Sequence, residues 1–75
     1  MNTLYLIMKE AKRQMQKRDK NTSLYLHADF NYTWALYGIK GKVEAHRDIL
    51  HGKFDLYKAA CQREGRPVVR LNNFQ

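Results

Sequence analysis

The amino-terminal part of the chain carries apolar residues at the spacing of an amphipathic helix. Five of them recur three or four residues apart: Leu4, Ile7, Met8, Ala11 and Met15. Residues with this spacing lie along one face of an α-helix. The regular spacing stops among the polar residues that follow position 17. The pattern therefore predicts a first helix over about residues 3 to 19, with an apolar face that packs on the rest of the protein.

The pattern changes to alternation in the middle of the chain. Four apolar residues are separated by single, more polar ones: Leu24, Leu26, Ala28 and Phe30. A period of two is typical of a half-buried β-strand. Asp29 and Asn31 favour a turn, and residues 32 to 37 are again rich in strand-forming types. We expect a β-hairpin here, with room for a short third strand over residues 42 to 44.

The carboxyl-terminal half returns to helical spacing. The apolar residues that mark this second helix are Ile49, Leu50, Phe54, Leu56, Tyr57, Ala60 and Cys61. Gly65 and Pro67 supply its stop signal. Residues 66 to 75 are predicted to form an edge strand or a docked tail. The expected fold class is α+β, a single compact domain over residues 1 to 75 in the order α-β-β-(β)-α-(β), with two helices packed on a small antiparallel sheet.

Length and composition exclude several classes of protein. A chain of 75 residues holds one small domain, and 44% hydrophobic with 28% charged residues is an ordinary globular mixture. The single cysteine, Cys61, has no internal partner for a disulfide, which argues against a disulfide-rich secreted protein. No apolar run approaches the length of a membrane span. We therefore expect a cytoplasmic location and no membrane span.

Positive charge is the most informative feature of the composition. Lysines and arginines number 14 against 7 acids, for a net charge of +7. A row of bases lies opposite the apolar face of the first helix, and we call it the basic face: Lys9, Lys12, Arg13, Lys17 and Lys20. Like charges at this spacing cost an isolated helix about 0.2 to 0.5 kcal/mol per pair. This cost favours a negatively charged partner, although a basic face that is merely solvated is the competing interpretation.

Phosphate backbones are the commonest anionic partners of small basic domains, so nucleic acid is the leading hypothesis. We expect four further bases to assist the basic face: Lys40, Lys42, Arg66 and Arg70. Exposed aromatic rings near these charges are able to stack on bases. In a chain this short we expect most rings to belong to the core, with Tyr25 and Tyr37 more exposed than Trp34 or Leu36.

Catalysis and metal binding have little support in the sequence. His46 and His51 are five residues apart, which places them on different faces of a helix, and Cys61 has no partner at zinc-site spacing. Cys61 is instead predicted to be a buried, inert thiol. We expect no enzyme activity, no cofactor and no metal. A weaker alternative is a ribonuclease-type toxin that uses His27 with His46 or His51 for acid-base chemistry.

The predicted order of elements over about residues 3 to 64 resembles the double-stranded-RNA-binding domain and the small toxins of bacterial toxin–antitoxin modules that share its topology. The chain has Asp48 to Lys53 where the RNA-binding domain has a lysine-rich helix start. The toxins have a Gly-Ser-His-like element on the hairpin, whereas His27 lies between Leu26 and Ala28. No site residue is carried over from either family. The small basic chain also resembles phage accessory proteins, so an interaction or inhibitor module for an acidic host protein is the main alternative. A homodimer formed through a strand edge is a further expectation.

Overall fold

The protein is all helical in the part of the chain that the structure describes. A computed structural model describes residues 3–69. Its elements are α1 (Thr3–Lys17), α2 (Ser23–Lys40), a short 3-10 turn (Glu44–His46) and α3 (Arg47–Glu64). The two predicted helices are confirmed as α1 and α3. The α+β prediction is wrong, because these residues include no strand and no sheet.

A single helix, α2, replaces the predicted hairpin. The Thr22 hydroxyl caps its amino-terminal end by accepting a hydrogen bond from the Tyr25 N–H at 3.3 Å. At its other end Gly41 takes a left-handed conformation with φ of 69°, and the Lys42 N–H donates to the Tyr37 carbonyl at 2.8 Å. This is a glycine-terminated helix end of the common kind. Both ends of α2 are therefore fixed by local signals.

The alternation that predicted a strand has a different origin. α2 packs against α1 on one side and against α3 on the other. Ala28 lines a cavity together with residues of α1, whereas the Phe30 ring meets Phe54 of α3 with centroids 5.5 Å apart. Two residues correspond to a helix rotation of about 200°, so apolar residues two positions apart face α1 and α3 in turn. A helix buried on two sides thus reproduces the period of a strand.

The three helices form an open arrangement around α2. Near the amino-terminal end of α1, a Cβ atom added to Gly38 would lie 2.9 Å from Leu4 Cδ1, so the two helices approach closely there. The only buried residue of α1 is Ala11. On the other side, Lys53 of α3 pairs with Asp29 of α2 at 2.9 Å. α1 and α3 make no comparable contact with each other.

Four further predictions are affected by this arrangement. Residues 42 to 44 lead into the 3-10 turn and form no third strand. Residues 66 to 69 form no strand, but the Val69 N–H donates to the Tyr57 hydroxyl at 2.9 Å, which fits the docked alternative; residues 70 to 75 lie outside the described residues. The resemblance to the RNA-binding domain and the toxins depended on a hairpin, so it no longer holds. The predicted dimer through a strand edge has no basis in residues 3–69 for the same reason.

No helix within residues 3–69 combines the length and the apolar character needed to cross a membrane.

Candidate functional site

The basic face predicted from the sequence is exposed in the structure. Lys9, Lys12, Arg13 and Lys17 lie on the solvent side of α1, and Lys20 follows in the loop to α2. The ammonium groups of Lys12, Lys17 and Lys20 form no ion pair or hydrogen bond with any residue of the described chain. Most of the positive charge of this face is therefore left uncompensated by direct contact.

Arg13 is the exception within the basic face. Its guanidinium Nε donates to Glu10 Oε2 at 3.0 Å, and Gln14 Nε2 donates to Glu10 Oε1 at 2.9 Å. These hydrogen bonds, with that from Arg13 the most important, lower the pKa of Glu10 to about 2. Glu10 is consequently ionised at any physiological pH. Arg13 is held by an internal carboxylate and contributes less free charge than its neighbours.

Lys9 has an aromatic neighbour on the same helix. Its ammonium nitrogen lies 5.6 Å from the centroid of the Tyr5 ring, which is within the range of a cation–π contact. The Tyr5 side chain is 47% exposed. An exposed ring and an exposed cation thus lie side by side near the start of α1.

The other predicted bases are distributed over both ends of the molecule. Lys40 and Lys42 are exposed beyond Gly38, at the end where α1 begins. Arg66 is at the opposite end and lies 3.4 Å from Glu64. Arg70 is outside the described residues. The structure therefore groups the bases of α1 on one face but does not join all nine predicted residues into one surface.

Two residues at the end of α3 were missed by the sequence reasoning. Both carboxylate oxygens of Glu64 accept hydrogen bonds from Ser23, one from its N–H and one from its hydroxyl, each at 2.7 Å. The hydroxyl bond, followed by the backbone bond, lowers the pKa of Glu64. Arg63 donates to the Asn21 carbonyl at 2.7 Å. An internal carboxylate thus occupies the amino-terminal end of α2, where an external anion would otherwise be favoured.

A largely apolar cavity opens on one side of the α1–α2 pair. Its volume is about 530 Å³. The lining includes Ile7 and Glu10 from α1 and Leu24, His27 and Asn31 from α2. His27 Nε2 and Asn31 Oδ1 are buried without a hydrogen-bond partner, and burial lowers the pKa of His27. The His27 imidazole is consequently held neutral inside the packing at pH 7.

Two of the three histidines stack on tyrosines near opposite ends of α2, and the third, His51, is exposed on α3. The His27 ring stacks on Tyr57 with centroids 4.6 Å apart, and the His46 ring stacks on Tyr37 at 3.9 Å. Tyr37 is ten residues beyond His27, which corresponds to about 15 Å along a helix. Groups that share a proton-transfer reaction need to lie within hydrogen-bond reach of one substrate. The geometry gives the proposed acid-base pair of His27 and His46 no support.

Cys61 and the acidic side chains are the remaining groups with the chemistry of a nucleophile or a metal ligand. Cys61 is 1% exposed, so its prediction as a buried thiol is confirmed. Within residues 3–69, no three histidine, cysteine, aspartate or glutamate side chains converge to hold a metal ion.

Comparisons with known proteins add no relatives. The chain matches no protein-family model, no curated protein and no solved structure. The interpretation of the basic face therefore depends on its geometry and charge alone.

Proposed function

We propose that this protein is a non-enzymatic module that binds the phosphate backbone of nucleic acid through the basic face of α1. The observation that supports the proposal is that Lys12, Lys17 and Lys20 form no ion pair or hydrogen bond within the described residues. Four acids are already paired with other bases: Glu10 with Arg13, Asp29 with Lys53, Glu44 with Arg47 and Glu64 with Arg66. A row of exposed, unpaired ammonium groups gains most from a polyanion, because binding releases the counterions of the phosphates.

The dimensions of the basic face suit a polyanion. Lys9 and Lys17 are eight residues apart on α1, which corresponds to about 12 Å along the helix axis. Duplex DNA presents one charge per roughly 1.7 Å of its axis, so phosphates are available along the whole face. No base edge needs to be read in this mode. Binding is therefore expected to depend on charge and ionic strength and to vary little with sequence.

The first test is a salt titration of binding to a fluorescently labelled oligonucleotide. If the four lysines of the basic face each neutralise one phosphate, affinity falls between 50 and 200 mM salt by about 50-fold for a single strand and about 150-fold for a duplex. Fluorescence anisotropy measures this directly. An affinity that does not change with ionic strength contradicts the proposal.

The second test uses variants with matched charge. Lys12→Gln with Lys17→Gln removes two charges from the basic face, whereas Arg47→Gln with Lys58→Gln removes two exposed charges from α3. The α1 variant is expected to reduce the slope of log affinity against log salt by about 1.4 to 1.8. The α3 variant should leave the slope unchanged. Equal effects from the two variants would show that net charge, and not the basic face, determines binding.

A protein-interaction module is the second candidate function, and an exposed face of α3 favours it. Ile49 is 45% exposed and Leu56 is 58% exposed, and residues seven apart share a helix face. A Cβ atom at Gly52, between them, would meet nothing within 4 Å. Light scattering of the intact chain and of an Ile49→Ser, Leu56→Ser variant tests self-association through this face. A partner protein that binds the intact chain but not this variant, with no nucleic-acid binding by either, would select the second candidate.

A further inference from the structure

The two sides of the α1–α2 pair carry different chemistry. Glu10 of α1 and His27 of α2 line the cavity on one side. Lys12 is two residues after Glu10, and Tyr25 is two residues before His27. Two residues correspond to a helix rotation of about 200°, so Lys12 and Tyr25 lie on the reverse side of the pair. Residues seven apart share a helix face, which places Tyr5 with Lys12 on α1. The reverse side therefore combines aromatic rings with free positive charge.

We call this reverse side the stacking face, and its residues come from both helices: Tyr5, Lys9 and Lys12 of α1 with Tyr25 and Tyr32 of α2. Lys9 belongs to it through the contact of its ammonium group with the Tyr5 ring at 5.6 Å. Tyr32 belongs to it because it is seven residues beyond Tyr25. The stacking face shares Lys9 and Lys12 with the basic face, so the two surfaces are continuous.

The five tyrosines divide into two groups by what they contact. Tyr57 accepts a hydrogen bond from the Val69 N–H at 2.9 Å and stacks on His27, and Tyr37 stacks on His46. The hydroxyl groups of the tyrosines on the stacking face form no hydrogen bond within residues 3–69. A tyrosine that serves the core usually places its hydroxyl against a partner. Two tyrosines thus contribute ring contacts within the fold, and the other three lie on the stacking face.

The exposure of these three rings is graded along the face. Tyr5 is 47% exposed, and its ring contacts no other aromatic ring among the described residues. Tyr25 and Tyr32 are half-buried. Tyr5 therefore offers the most complete ring surface to a ligand. Because the start of α1 lies against the end of α2 at Gly38, Tyr32 is the nearer of the two α2 tyrosines and Tyr25 lies toward the other end of the helix pair.

We infer that the nucleic acid bound by this protein is single-stranded and that one of its bases stacks on Tyr5. This inference rests on the proposed function. Lys9 and Lys12 neutralise the neighbouring phosphates, while Tyr32 and, further along the face, Tyr25 provide apolar contact for other nucleotides of the same strand. Duplex DNA hides the faces of its bases, whereas a single strand presents them to aromatic side chains. Stacking accepts every base, so the preference is for strand state and not for sequence.

The test compares three anionic probes with two variants. The probes are a 15-nucleotide oligothymidine, a 15-base-pair duplex and heparin, which carries charge but no bases. Tyr5→Ala removes the ring, and Leu6→Ala is the matched control because Leu6 is 48% exposed on the same helix but lines the cavity. Tyr5→Ala should weaken oligothymidine binding by about 5- to 150-fold, with an unchanged salt slope and unchanged heparin binding. Leu6→Ala should bind all three probes normally, and Tyr5→Phe should restore stacking.

The outcomes separate this inference from the proposed function. If oligothymidine, duplex and heparin bind with similar salt-dependent affinity and Tyr5→Ala changes none of them, the stacking face is refuted and backbone binding stands. If no probe binds in a salt-dependent way, both proposals fail. Circular dichroism of each variant checks that α1 is still folded, and a Tyr5→Phe variant that is folded but binds as weakly as Tyr5→Ala would refute stacking on the ring.

Discussion

Gly52 provides a quantitative test of the helix that carries the exposed apolar face. It lies inside α3, is exposed to solvent and has an ordinary helical φ, and an added Cβ atom would meet nothing within 4 Å. Glycine costs a helix interior about 0.8 to 1.0 kcal/mol relative to alanine. Because the added methyl group would clash with nothing, Gly52→Ala removes this cost and should raise the free energy of unfolding by about that amount. For a domain of this size the melting temperature should rise by about 4 to 8 °C.

Gly65 is the matched control for this substitution. A Cβ atom there would also meet nothing within 4 Å, but Gly65 ends α3 with a φ of 72°. A side chain in this left-handed conformation costs roughly 1 to 2 kcal/mol. Gly65→Ala should therefore lower the melting temperature. The same chemical change thus has opposite signs at two open positions, and only the backbone differs.

Thermal and urea unfolding followed by circular dichroism measure both variants. The comparison should be made at several protein concentrations, because a partner chain packed on α3 would lie against Gly52. If Gly52→Ala leaves stability unchanged or lowers it at low concentration, either the helix is not continuous through this residue or the position is covered. Either result would refute the reasoning. If Gly52→Ala lowers the stability only at high protein concentration, the substitution disrupts self-association through α3.

Two further predictions concern titrating groups. Because burial lowers the pKa of His27 below 6.5, the unfolded chain binds this proton more readily, and stability should fall as the pH drops below about 6.5. Urea midpoints at pH 5 and pH 8 measure this, and His27→Gln should reduce the difference. Arg13→Gln should raise the pKa of Glu10 from about 2 toward 4.5; a carboxyl titration by NMR that stays near 2 would contradict the ion pair.

The sequence predicts the outer helices well because each has one apolar face. α1 and α3 end within a few residues of the predicted positions, since a helix that packs on one side shows its period directly. The extension of the first helix to residue 19 was too long, because Thr22 hydrogen-bonds back to the Asp19 carbonyl in a turn before α2. Local signals were thus sufficient wherever one neighbour determined the pattern.

The strand prediction for the middle of the chain is wrong because the two-residue alternation of α2 hides the signals at its ends. Thr22 and Gly41 bracket α2 as a cap residue and a left-handed terminator, and both are readable from the sequence as helix boundaries. Their separation suits one long helix. Strand-forming residue types and the two-residue alternation outweighed them, since nothing local shows that a helix will be covered on two sides.

The candidate site was predictable where it depends on one helix and unpredictable where it depends on packing. The basic face follows from the spacing of lysines on α1. Glu10 is three residues from Arg13, so their ion pair was also accessible to sequence reasoning. The bonds between Glu64 and Ser23 join residues 41 positions apart. Such contacts, and the side of α1 on which Tyr5 lies relative to the cavity, require the tertiary arrangement.

The open arrangement of the helices has a consequence for their independent stability. Among the described elements α1 packs mainly on α2, and its only buried residue is Ala11, whereas the start of α2 is tied to the end of α3 by Glu64. Segments with few buried contacts open locally at lower free energy than the rest of a protein. Backbone amides of α1 should therefore exchange with deuterium before those of α2 and α3. A ligand that holds α1 in place would slow that exchange as well as satisfy its charge.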